Sequence, residues 1–335
     1  MRELINKLRA KEDLTAAEAE SAMKLMMSGE ASEEDMAGFL LALKDKGESA
    51  GEIAALAKVM REYATRINPR VGGTLVDVCG TGGDKSGTFN VSTTAMFIVA
   101  GAGIPVAKHG NRSITSKCGS ADVLEALGVK IDLPPERIKS CIEDVGVGFM
   151  FAPAHHPAMK HVMPVRKKLG VRTVFNILGP LTNPANARAQ LMGVFDPELT
   201  EKLAEVFRIF GLERAMVVHG EPGLDELSTL GPSKVSELRD DRIRTYVLDV
   251  GKLGLRGGRL TAGGTAAENA RLLREILSGK ACGADADIVL LNAAGGIIVG
   301  GLADDFNGGL EVARETLDSG AALRKLEEFV KYAGG

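Results

Sequence analysis

From Thr74 onward the sequence alternates short apolar segments with longer amphipathic ones. The apolar segments LVDVC, IPVA, GFMFA and AMVVHG have the length and composition of buried strands. Helical periodicity occupies the stretches between and after them, at 90–101, 119–127, 134–145 and 197–210. Strands that alternate with helices favour a mostly parallel sheet covered by helices, so this part of the chain is predicted to be an α/β domain.

The first 67 residues carry three helix starts with the spacing of a capping box. Each start places an acidic residue three positions after a Ser or Thr: Thr15 with Glu18, Ser32 with Asp35, and Ser49 with Glu52. Apolar residues recur at helical spacing after each start. The N-terminus is therefore predicted to be a small helical unit, and 335 residues with 45% hydrophobic content suffice for this unit plus one larger domain.

Near residues 164–186 the segment PVRKKLGVRTVFNILGPLTNPA interrupts the alternation of strands and helices. Its prolines at 164, 180 and 184 indicate a crossing or a hinge rather than another strand–helix unit.

Charge and cysteine content exclude several classes of function. A net charge of −3 and a pI near 6.1 give no overall basic surface for nucleic acid or a membrane, so small molecules are the expected ligands. The four cysteines fit neither a CxxC pattern nor a small disulfide framework, which indicates reduced thiols in a cytosolic protein. The N-terminus lacks an apolar signal core, and the apolar run 95–107 is too short to span a bilayer, so neither export nor anchoring is expected.

A glycine-rich loop, GTGGDKSG at 80–87, joins the first strand candidate to a helix. Backbone N–H groups in such a loop, together with the helix dipole, attract phosphate. The pattern is neither a Walker loop nor GxGxxG, because no Gly-Lys-Ser/Thr ends it and Lys85 stands at the last glycine position. Asn90, Ser92, Thr93 and Thr94 add oxygen ligands for phosphate or a metal, although a simple turn with a helix cap would explain the glycines alone.

Residues 85–121 contain no acidic residue, where the composition of 44 acids in 335 residues leads to an expectation of about five. This window includes KHGNRSITSKCGS at 108–120, which again follows a strand candidate, and Lys108, His109 and Arg112 are expected to point into one pocket. Two loops that follow parallel strands face the same sheet edge, where open α/β sheets bind ligands. The window therefore predicts a site for two phosphate groups or a diphosphate, and a solvated basic loop is the alternative.

Magnesium is the metal expected beside a polyphosphate, held by one or two carboxylates and by the phosphates themselves. Asp225 and Glu226, directly after the strand candidate AMVVHG, are the best candidates, and Asp84 is the other nearby carboxylate. The histidines at 155, 156 and 161 lack zinc-site spacing, so pocket lining is the favoured role for one of them. Arg166 could bind a carboxylate with two hydrogen bonds, although a lone arginine is more often a surface residue.

These residues together resemble anthranilate phosphoribosyltransferases. The resemblance is carried in order by GTGGD at 80–84, NVST at 90–93, KHGNR at 108–112, SADVLEALG at 120–128, HPAMK with PVRKKLGVRTVFNILGPLTNP within 156–184, and LDE at 224–226. It runs from the N-terminal helices to at least LDELS, and the last hundred residues match only in general character. Cys118 departs from the serine of many relatives, a change between small residues.

The resemblance implies a reaction in which phosphoribosyl diphosphate (PRPP) and anthranilate give phosphoribosyl-anthranilate and diphosphate, in tryptophan biosynthesis. It implies a helical domain at 1–70 that includes about 164–186, an α/β domain at 71–335, and a homodimer formed through the helical domain.

The resemblance also assigns site residues. The PRPP site would be lined by Gly80, Gly83, Asp84, Thr88, Asn90, Val91, Ser92, Thr93, Lys108, His109, Gly110, Asn111, Arg112, Ser113, Ile114, Thr115, Ser116 and Ser120. The anthranilate site would be formed by Gly80, Asn111, His109, His156 and Arg166. Magnesium would be bound by Ser92, Asp225 and Glu226. No residue is assigned as an obligatory base, because the aromatic amine of anthranilate is neutral and nucleophilic at pH 7.

Two other functions remain open from the sequence. Pyrimidine nucleoside phosphorylases share a similar two-domain plan and a glycine-rich phosphate loop, but neither phosphate nor a neutral base requires both Arg166 and the acidic pair at 225–226. A nucleic-acid-binding relative without catalysis would need a basic, arginine-rich surface, which this acidic chain lacks.

Overall fold

The central sheet is mostly parallel and is ordered β3-β2-β1-β4-β5-β6-β7 in a computed structural model that describes residues 1–84, 86–113, 117–255 and 257–334. The strands in those ranges are β1 (Val76–Gly80), β2 (Val106–Gly110), β3 (Val147–Phe151), β4 (Ala189–Gly193), β5 (Arg214–Gly220), β6 (Ser233–Arg239) and β7 (Arg242–Leu248). β1 to β5 are parallel, and β6 and β7 add an antiparallel hairpin at one edge. The predicted α/β fold with a mostly parallel sheet is confirmed.

The order of the strands reverses between β1 and β4. The chain moves from β1 outward through β2 to β3, and then returns to the other side of β1 to form β4 and β5. Gly80 at the end of β1 is the register partner of Gly193 at the end of β4. A crevice forms at the carboxyl ends of the strands where the order reverses, and this is where open α/β sheets bind ligands.

Four N-terminal helices form a bundle, and the remaining helices cover the sheet or connect its strands. The bundle contains α1 (Arg2–Arg9), α2 (Ala16–Ser28), α3 (Glu33–Lys46) and α4 (Ala50–Glu62). The later helices in the described ranges are α5 (Val91–Gly101), α6 (Ser120–Ala126), α7 (Pro135–Val145), α8 (Ala152–His155), α9 (Met163–Leu169), α10 (Phe175–Leu178), α11 (Leu199–Ile209), α12 (Ala266–Leu277), α13 (Ala284–Val299), α14 (Phe306–Asp318) and α15 (Ala321–Gly334). Short 3₁₀ turns occupy Pro157–His161, Gly179–Thr182 and Val250–Leu253. None of these helices is long and apolar enough to cross a membrane.

The three helix starts that the sequence predicts are present in the structure, and one of them differs in its cap. Thr15 and Ser49 make reciprocal capping boxes with Glu18 and Glu52. Ser32 accepts a hydrogen bond from the backbone of Asp35, but the shorter Asp35 side chain does not return one. The expected N-terminal helical unit is thus built from amphipathic helices with local caps.

The apolar interior lies mainly on the two faces of the sheet. On one face, α5 and the C-terminal helices α12 to α15 pack in one large cluster with the strands. On the other, the bundle helices share a cluster with α11 and with side chains of residues 162–181, among them Val165, Phe175 and Leu178. The proline-rich crossing segment therefore packs against the N-terminal helices, next to the edge of the sheet that carries the site.

Candidate functional site

Three glycines end neighbouring strands and allow the loop that carries Asp225 and Glu226, here called the acidic loop, to lie directly over the sheet edge. Gly80, Gly193 and Gly220 end β1, β4 and β5. A Cβ atom on Gly80 would overlap the Asp225 carboxylate, and one on Gly193 would overlap the Asp225 carbonyl oxygen. At Gly220 the obstacle would be the carbonyl oxygen of Glu226. Side chains at these strand ends would lift the acidic loop away from the crevice.

The acidic loop places two carboxylates against the backbone of the phosphate-binding region predicted from the sequence. Asp225 Oδ2 accepts a hydrogen bond of 2.6 Å from the Gly82 N–H in the glycine loop. Glu226 Oε1 accepts one of 3.1 Å from the Ser92 N–H at the start of α5. The structure thus brings Ser92 and the pair Asp225 and Glu226, which is distant from it in sequence, to one location.

Burial and mutual repulsion make these carboxylates unusually basic. Burial raises the pKa of Glu226 to about 7, although the charge of Lys108 opposes the rise. Burial also raises the pKa of Asp225 well above its ordinary value, and the charges of Glu226 and Asp84 add to the effect. Two desolvated carboxyl groups whose ionisation is unfavourable without a counter-charge have the electrostatic character of a cation site, because a bound cation would favour their ionised forms.

Lys108 is the buried cation of the site. Its side chain is 2% exposed, and Nζ donates hydrogen bonds to the Val78 carbonyl and, at 3.3 Å, to Ser92 Oγ. Beneath it, burial raises the pKa of Asp77 to about 6 while the charge of Lys108 lowers it. Asp77 also accepts a hydrogen bond of 2.8 Å from Asn183 of the crossing segment. Neither residue is predicted from the sequence, because an acid inside a strand and an asparagine in a loop give no local signal of their contact.

The start of α5 turns the positive end of its helix dipole toward the glycine loop, while the Val91 N–H donates to the Phe89 carbonyl and the Ser92 N–H to Glu226. Asn90 is the cap residue, but its side chain makes no capping hydrogen bond to the helix. Val91 and Thr93 are buried at the beginning of this 11-residue helix, and Ser92 lies between them. Thr88 forms an isolated bridge with Ala262 in the preceding loop. A helix start close to a glycine loop favours a bound phosphate.

The second loop, at 108–120, is held by acidic residues of α6, which follow directly after the acid-free window 85–121. Arg112 is exposed and makes ion pairs of 2.8 Å with both Asp122 and Glu125 on α6. Asp122 also accepts hydrogen bonds from the backbone N–H groups of Ser113 and Gly119. The sequence placed Arg112 in one pocket with Lys108 and His109, whereas the structure directs its guanidinium to α6.

Other predicted residues of the second loop lie beside this ion pair. Asn111 is exposed, and its carbonyl accepts a hydrogen bond of 3.3 Å from Ser120 Oγ. Gly110 ends β2. The predicted residues Ile114, Thr115 and Ser116 lie outside the described part of the chain.

Two histidines lie side by side between the sheet and the crossing segment. The ring centroids of His109 and His156 are 5.1 Å apart, and both side chains are buried. Burial lowers the pKa of His109 well below its ordinary value and that of His156 to about 4, so both rings are neutral at pH 7. In the described ranges, His109 Nε2 and both ring nitrogens of His156 make no hydrogen bond of regular geometry, although backbone groups of Gly179 and Thr182 partly oppose the fall in the two pKa values. Such groups are costly unless a ligand or water satisfies them.

Arg166 on α9 is half-buried and carries its charge without a neighbouring acid in the described chain. Its guanidinium lies 5.4 Å from the ring centroid of Phe175 and contacts the sulfur of Met163. Burial lowers the pKa of Arg166, and no acidic side chain of the described ranges opposes this change. A desolvated guanidinium with free donors is suited to an incoming carboxylate.

Arg172 contacts the glycine loop, and this contact is not predicted from the sequence. Its guanidinium lies 4.0 Å from the centroid of the Phe195 ring and donates a hydrogen bond to the Gly83 carbonyl. The Phe195 N–H in turn donates to Thr81 Oγ1 at 3.2 Å. The crossing segment is thereby tied to the glycine loop, a contact that only the folded chain reveals.

The donor set fits a divalent cation that is completed by phosphate. No group of three His, Cys, Asp or Glu side chains forms a ready-made metal site in the described ranges 1–84, 86–113, 117–255 and 257–334. Asp225 and Glu226 instead provide carboxylate oxygens and Ser92 a hydroxyl beside the helix start. Magnesium prefers such oxygen ligands and usually keeps phosphates or waters in its remaining positions.

Comparison with known proteins agrees with this geometry. Residues 2–64 match the helical bundle domain of a glycosyl transferase family, and residues 72–323 match its a/b domain. Anthranilate phosphoribosyltransferase of Methanocorpusculum labreanum is 52% identical over 335 residues, which cover 99% of this chain and 98% of the relative. The chain belongs to the anthranilate phosphoribosyltransferase family.

Solved structures of this family have the same fold. Anthranilate phosphoribosyltransferase from Thermus thermophilus is 45% identical, with a TM-score of 0.93 and 99% of each chain covered. The Saccharomyces cerevisiae enzyme in complex with PRPP and Mg is 29% identical, with a TM-score of 0.89 over 99% of this chain and 97% of the yeast chain. The yeast enzyme has also been solved with 4-fluoroanthranilate, at 28% identity, a TM-score of 0.88 and the same coverage.

The close approach at Gly193 can be tested by Gly193→Ala. Because the new methyl group would overlap the Asp225 carbonyl, we expect the free energy of unfolding in urea to fall by about 2–4 kcal/mol. Gly51→Ala is the matched control, since nothing lies within 4 Å of its added methyl group on α4. Equal stability of the two variants would show that the acidic loop does not depend on this glycine.

The raised pKa of Glu226 predicts how Glu226→Gln changes the pH dependence of stability. A carboxyl whose pKa is raised on folding stabilises the protein below its unfolded pKa, and this contribution is lost as pH rises from about 4.5 through about 7. Without magnesium and PRPP, Glu226→Gln should therefore match the parent near pH 4 and exceed its unfolding free energy at pH 8, by about 3 kcal/mol.

Glu18→Gln is the control with the opposite sign. Hydrogen bonds from Lys7 and Thr15 lower the pKa of Glu18 to about 2, so its removal should reduce stability at neutral pH. Urea unfolding at each pH measures both effects. A Glu226→Gln variant that is less stable than the parent at pH 8 would contradict the raised pKa.

Proposed function

We propose that this chain transfers the phosphoribosyl group of PRPP to the amine of anthranilate and releases diphosphate, as a step of tryptophan biosynthesis. The observation that carries the proposal is the placement of Asp225 and Glu226 against the glycine loop and α5. Family membership and the yeast relative's complex with PRPP and Mg support the same assignment.

The PRPP site in this proposal follows the two loops at the sheet edge. Gly80, Gly83, Asp84, Thr88 and Asn90 to Thr93 would line it from the first loop, and 108–116 with Ser120 from the second. The hydrogen bond from Lys108 to Ser92 supports one shared site, because it joins the second loop to the start of α5. Arg112 would have to leave Asp122 and Glu125 to reach a phosphate, an exchange of one set of anions for another.

Magnesium in this proposal is held by Ser92, Asp225 and Glu226. When bound, it stabilises the negative charge that develops on the departing diphosphate. Its positive charge would also favour the ionised forms of Asp225 and Glu226, whose burial otherwise favours protonation. The yeast relative solved with Mg bound supports this choice of ion.

Anthranilate would bind between Arg166 and the paired histidines. Arg166 would donate two hydrogen bonds to the carboxylate, while Asn111 and Gly80 would lie near the amine. His109 and His156 would line the path of the ring, where His109 Nε2 and the ring nitrogens of His156 would gain polar contacts. The yeast relative's complex with 4-fluoroanthranilate supports a site for this ligand class.

The chemistry requires positioning and charge rather than a strong base. Rupture of the bond between ribose C1 and the diphosphate leaves an oxocarbenium-like sugar, so stabilisation of the leaving group lowers the barrier. The dipole of α5, and N–H groups of the glycine loop other than that of Gly82, would supply part of that stabilisation. The neutral histidines fit an amine that needs alignment but no prior deprotonation.

Residues 1–70 with about 164–186 would form the helical domain, and residues 71–335 the α/β domain. Arg166 would then approach anthranilate from the helical side while PRPP binds on the sheet side. A cytoplasmic homodimer that joins through the helical domain completes the proposal, with the family resemblance as its support.

The test follows the fluorescence of anthranilate when the protein is mixed with PRPP, with and without magnesium. A decay that requires both PRPP and magnesium is the expected result. A flat trace from folded protein, together with phosphorolysis of thymidine or uridine, would favour the nucleoside phosphorylase alternative. Salt-dependent binding of nucleic acid without turnover would favour the other alternative.

Arg166→Ala tests the carboxylate contact. We expect the KM for anthranilate to rise at least about tenfold, because one charge-assisted pair is lost, while the KM for PRPP stays within about twofold. Arg271→Ala is the control, since Arg271 is an exposed arginine on α12 beside Glu275. An unchanged KM and turnover for Arg166→Ala would remove Arg166 from the anthranilate site.

A further inference from the structure

Two asparagines on the C-terminal helices are buried next to the loops of the site. Asn269 on α12 is 4% exposed, and Asn292 on α13 is 0% exposed. Both lie in the part of the sequence where the motifs give no functional signal. A buried amide is costly unless its donors and acceptor are satisfied, so the partners of each amide show what it holds in place.

Asn269 fixes the cap residue of α5. Its Oδ1 accepts a hydrogen bond of 2.9 Å from the Gly264 N–H, and its Nδ2 donates one of 3.0 Å to Asn90 Oδ1. Asn90 Nδ2 then donates to the Cys118 carbonyl at 3.2 Å. A rotated Asn90 amide would place two donors face to face, so Asn269 selects the orientation in which Asn90 joins both phosphate-binding loops.

The backbone before α12 reinforces this contact. The Gly263 N–H donates a hydrogen bond of 2.6 Å to the Gly87 carbonyl, and Ala262 bridges Thr88. A Cβ atom on Gly263 would overlap the Thr88 carbonyl. Residues 262–264 therefore lie directly against the glycine loop, and Asn269 anchors that contact.

Asn292 fixes the acidic loop in the same manner. Its Oδ1 accepts a hydrogen bond of 2.9 Å from the Leu227 N–H, and its Nδ2 donates to the carbonyls of Leu227 and Ile288, each at 2.9 Å. Leu227 directly follows Glu226, whose carboxylate accepts from the Ser92 N–H. The amide thus holds both backbone groups of the residue next to the acidic pair.

We propose that Asn269 and Asn292 are positioning residues for the transfer reaction and that each controls a different half of the site. Asn269 orients the phosphate-binding loops through Asn90, and Asn292 orients the acidic loop through Leu227. The inference rests on the proposed function. Because the two amides hold separate loops, their removal has separable effects on PRPP and on the divalent cation.

The test uses Asn269→Leu and Asn292→Leu, which keep the side-chain size and remove the hydrogen bonds. For Asn269→Leu the KM for PRPP at saturating magnesium should rise about tenfold, with the half-activating magnesium concentration unchanged. For Asn292→Leu the half-activating magnesium concentration should rise about tenfold, with the KM for PRPP at saturating magnesium unchanged.

Binding measurements test the same split without turnover. Calorimetry with PRPP and magnesium should show weakened PRPP binding for Asn269→Leu. Electron paramagnetic resonance with Mn²⁺ as the probe, in the presence of PRPP, should show weakened metal binding for Asn292→Leu. The parent protein could be inactive while Asn269→Leu still weakens only PRPP binding and Asn292→Leu only metal binding. That result would refute the proposed reaction and support the two residues as positioning residues for the ligands.

Thr316→Val is the matched control on α14. It removes a hydrogen bond of 2.7 Å between a buried hydroxyl and the Val312 carbonyl, outside the contacts of both loops. It should lower thermal stability without changing either binding constant. Asn269→Ala and Asn292→Ala remove the same hydrogen bonds without adding a charge, and they replace the leucine variants if circular dichroism shows those to be unfolded.

A double-mutant cycle tests the route through Asn90. If Asn269 acts by orienting Asn90, the PRPP affinity of Asn90→Leu with Asn269→Leu should equal that of Asn90→Leu alone. Additive losses, or equal losses of PRPP and metal binding in both single variants that follow their loss of thermal stability, would overturn the positioning roles.

Discussion

The approach of the Asp225 backbone to the ends of β1 and β4 is the contact on which the site depends. It requires glycines at 80 and 193, which the sheet places side by side in register. With the loop seated there, the Asp225 carboxylate reaches the glycine loop and the Glu226 carboxylate reaches α5. The place where the strand order reverses thus determines which distant segments meet.

That seating has an electrostatic cost. Asp225 and Glu226 are brought into a desolvated space near Asp84, and their pKa values rise because ionisation there is unfavourable. Lys108 offsets only part of this cost, since its ammonium group also binds the Val78 carbonyl and Ser92. A cation that binds together with a polyanion would remove this cost, because its charge favours the ionised forms of Asp225 and Glu226.

Local signals in the sequence predicted the helical N-terminus and the strand–helix alternation, because caps and periodicity depend on neighbouring residues. They also predicted the glycine loop and the acidic pair as parts of one site. Arg112 shows their limit: the acid-free window ends at residue 121, and the acids of α6 that begin at Asp122 take its guanidinium. Arg172, Asp77, Asn269 and Asn292 went unnoticed, since their partners are remote in sequence.

The sequence by itself determined the elements, the residue types for phosphate and metal, and the family resemblance, since each is written in short contiguous motifs. Only the tertiary structure decided which carboxylate contacts which loop, where the guanidinium of Arg112 goes and which asparagines support the site. The physical reason is that burial and hydrogen bonding between remote segments arise from the sheet order. Burial and hydrogen bonds of this kind cannot be predicted from local sequence, because they depend on which strands lie side by side.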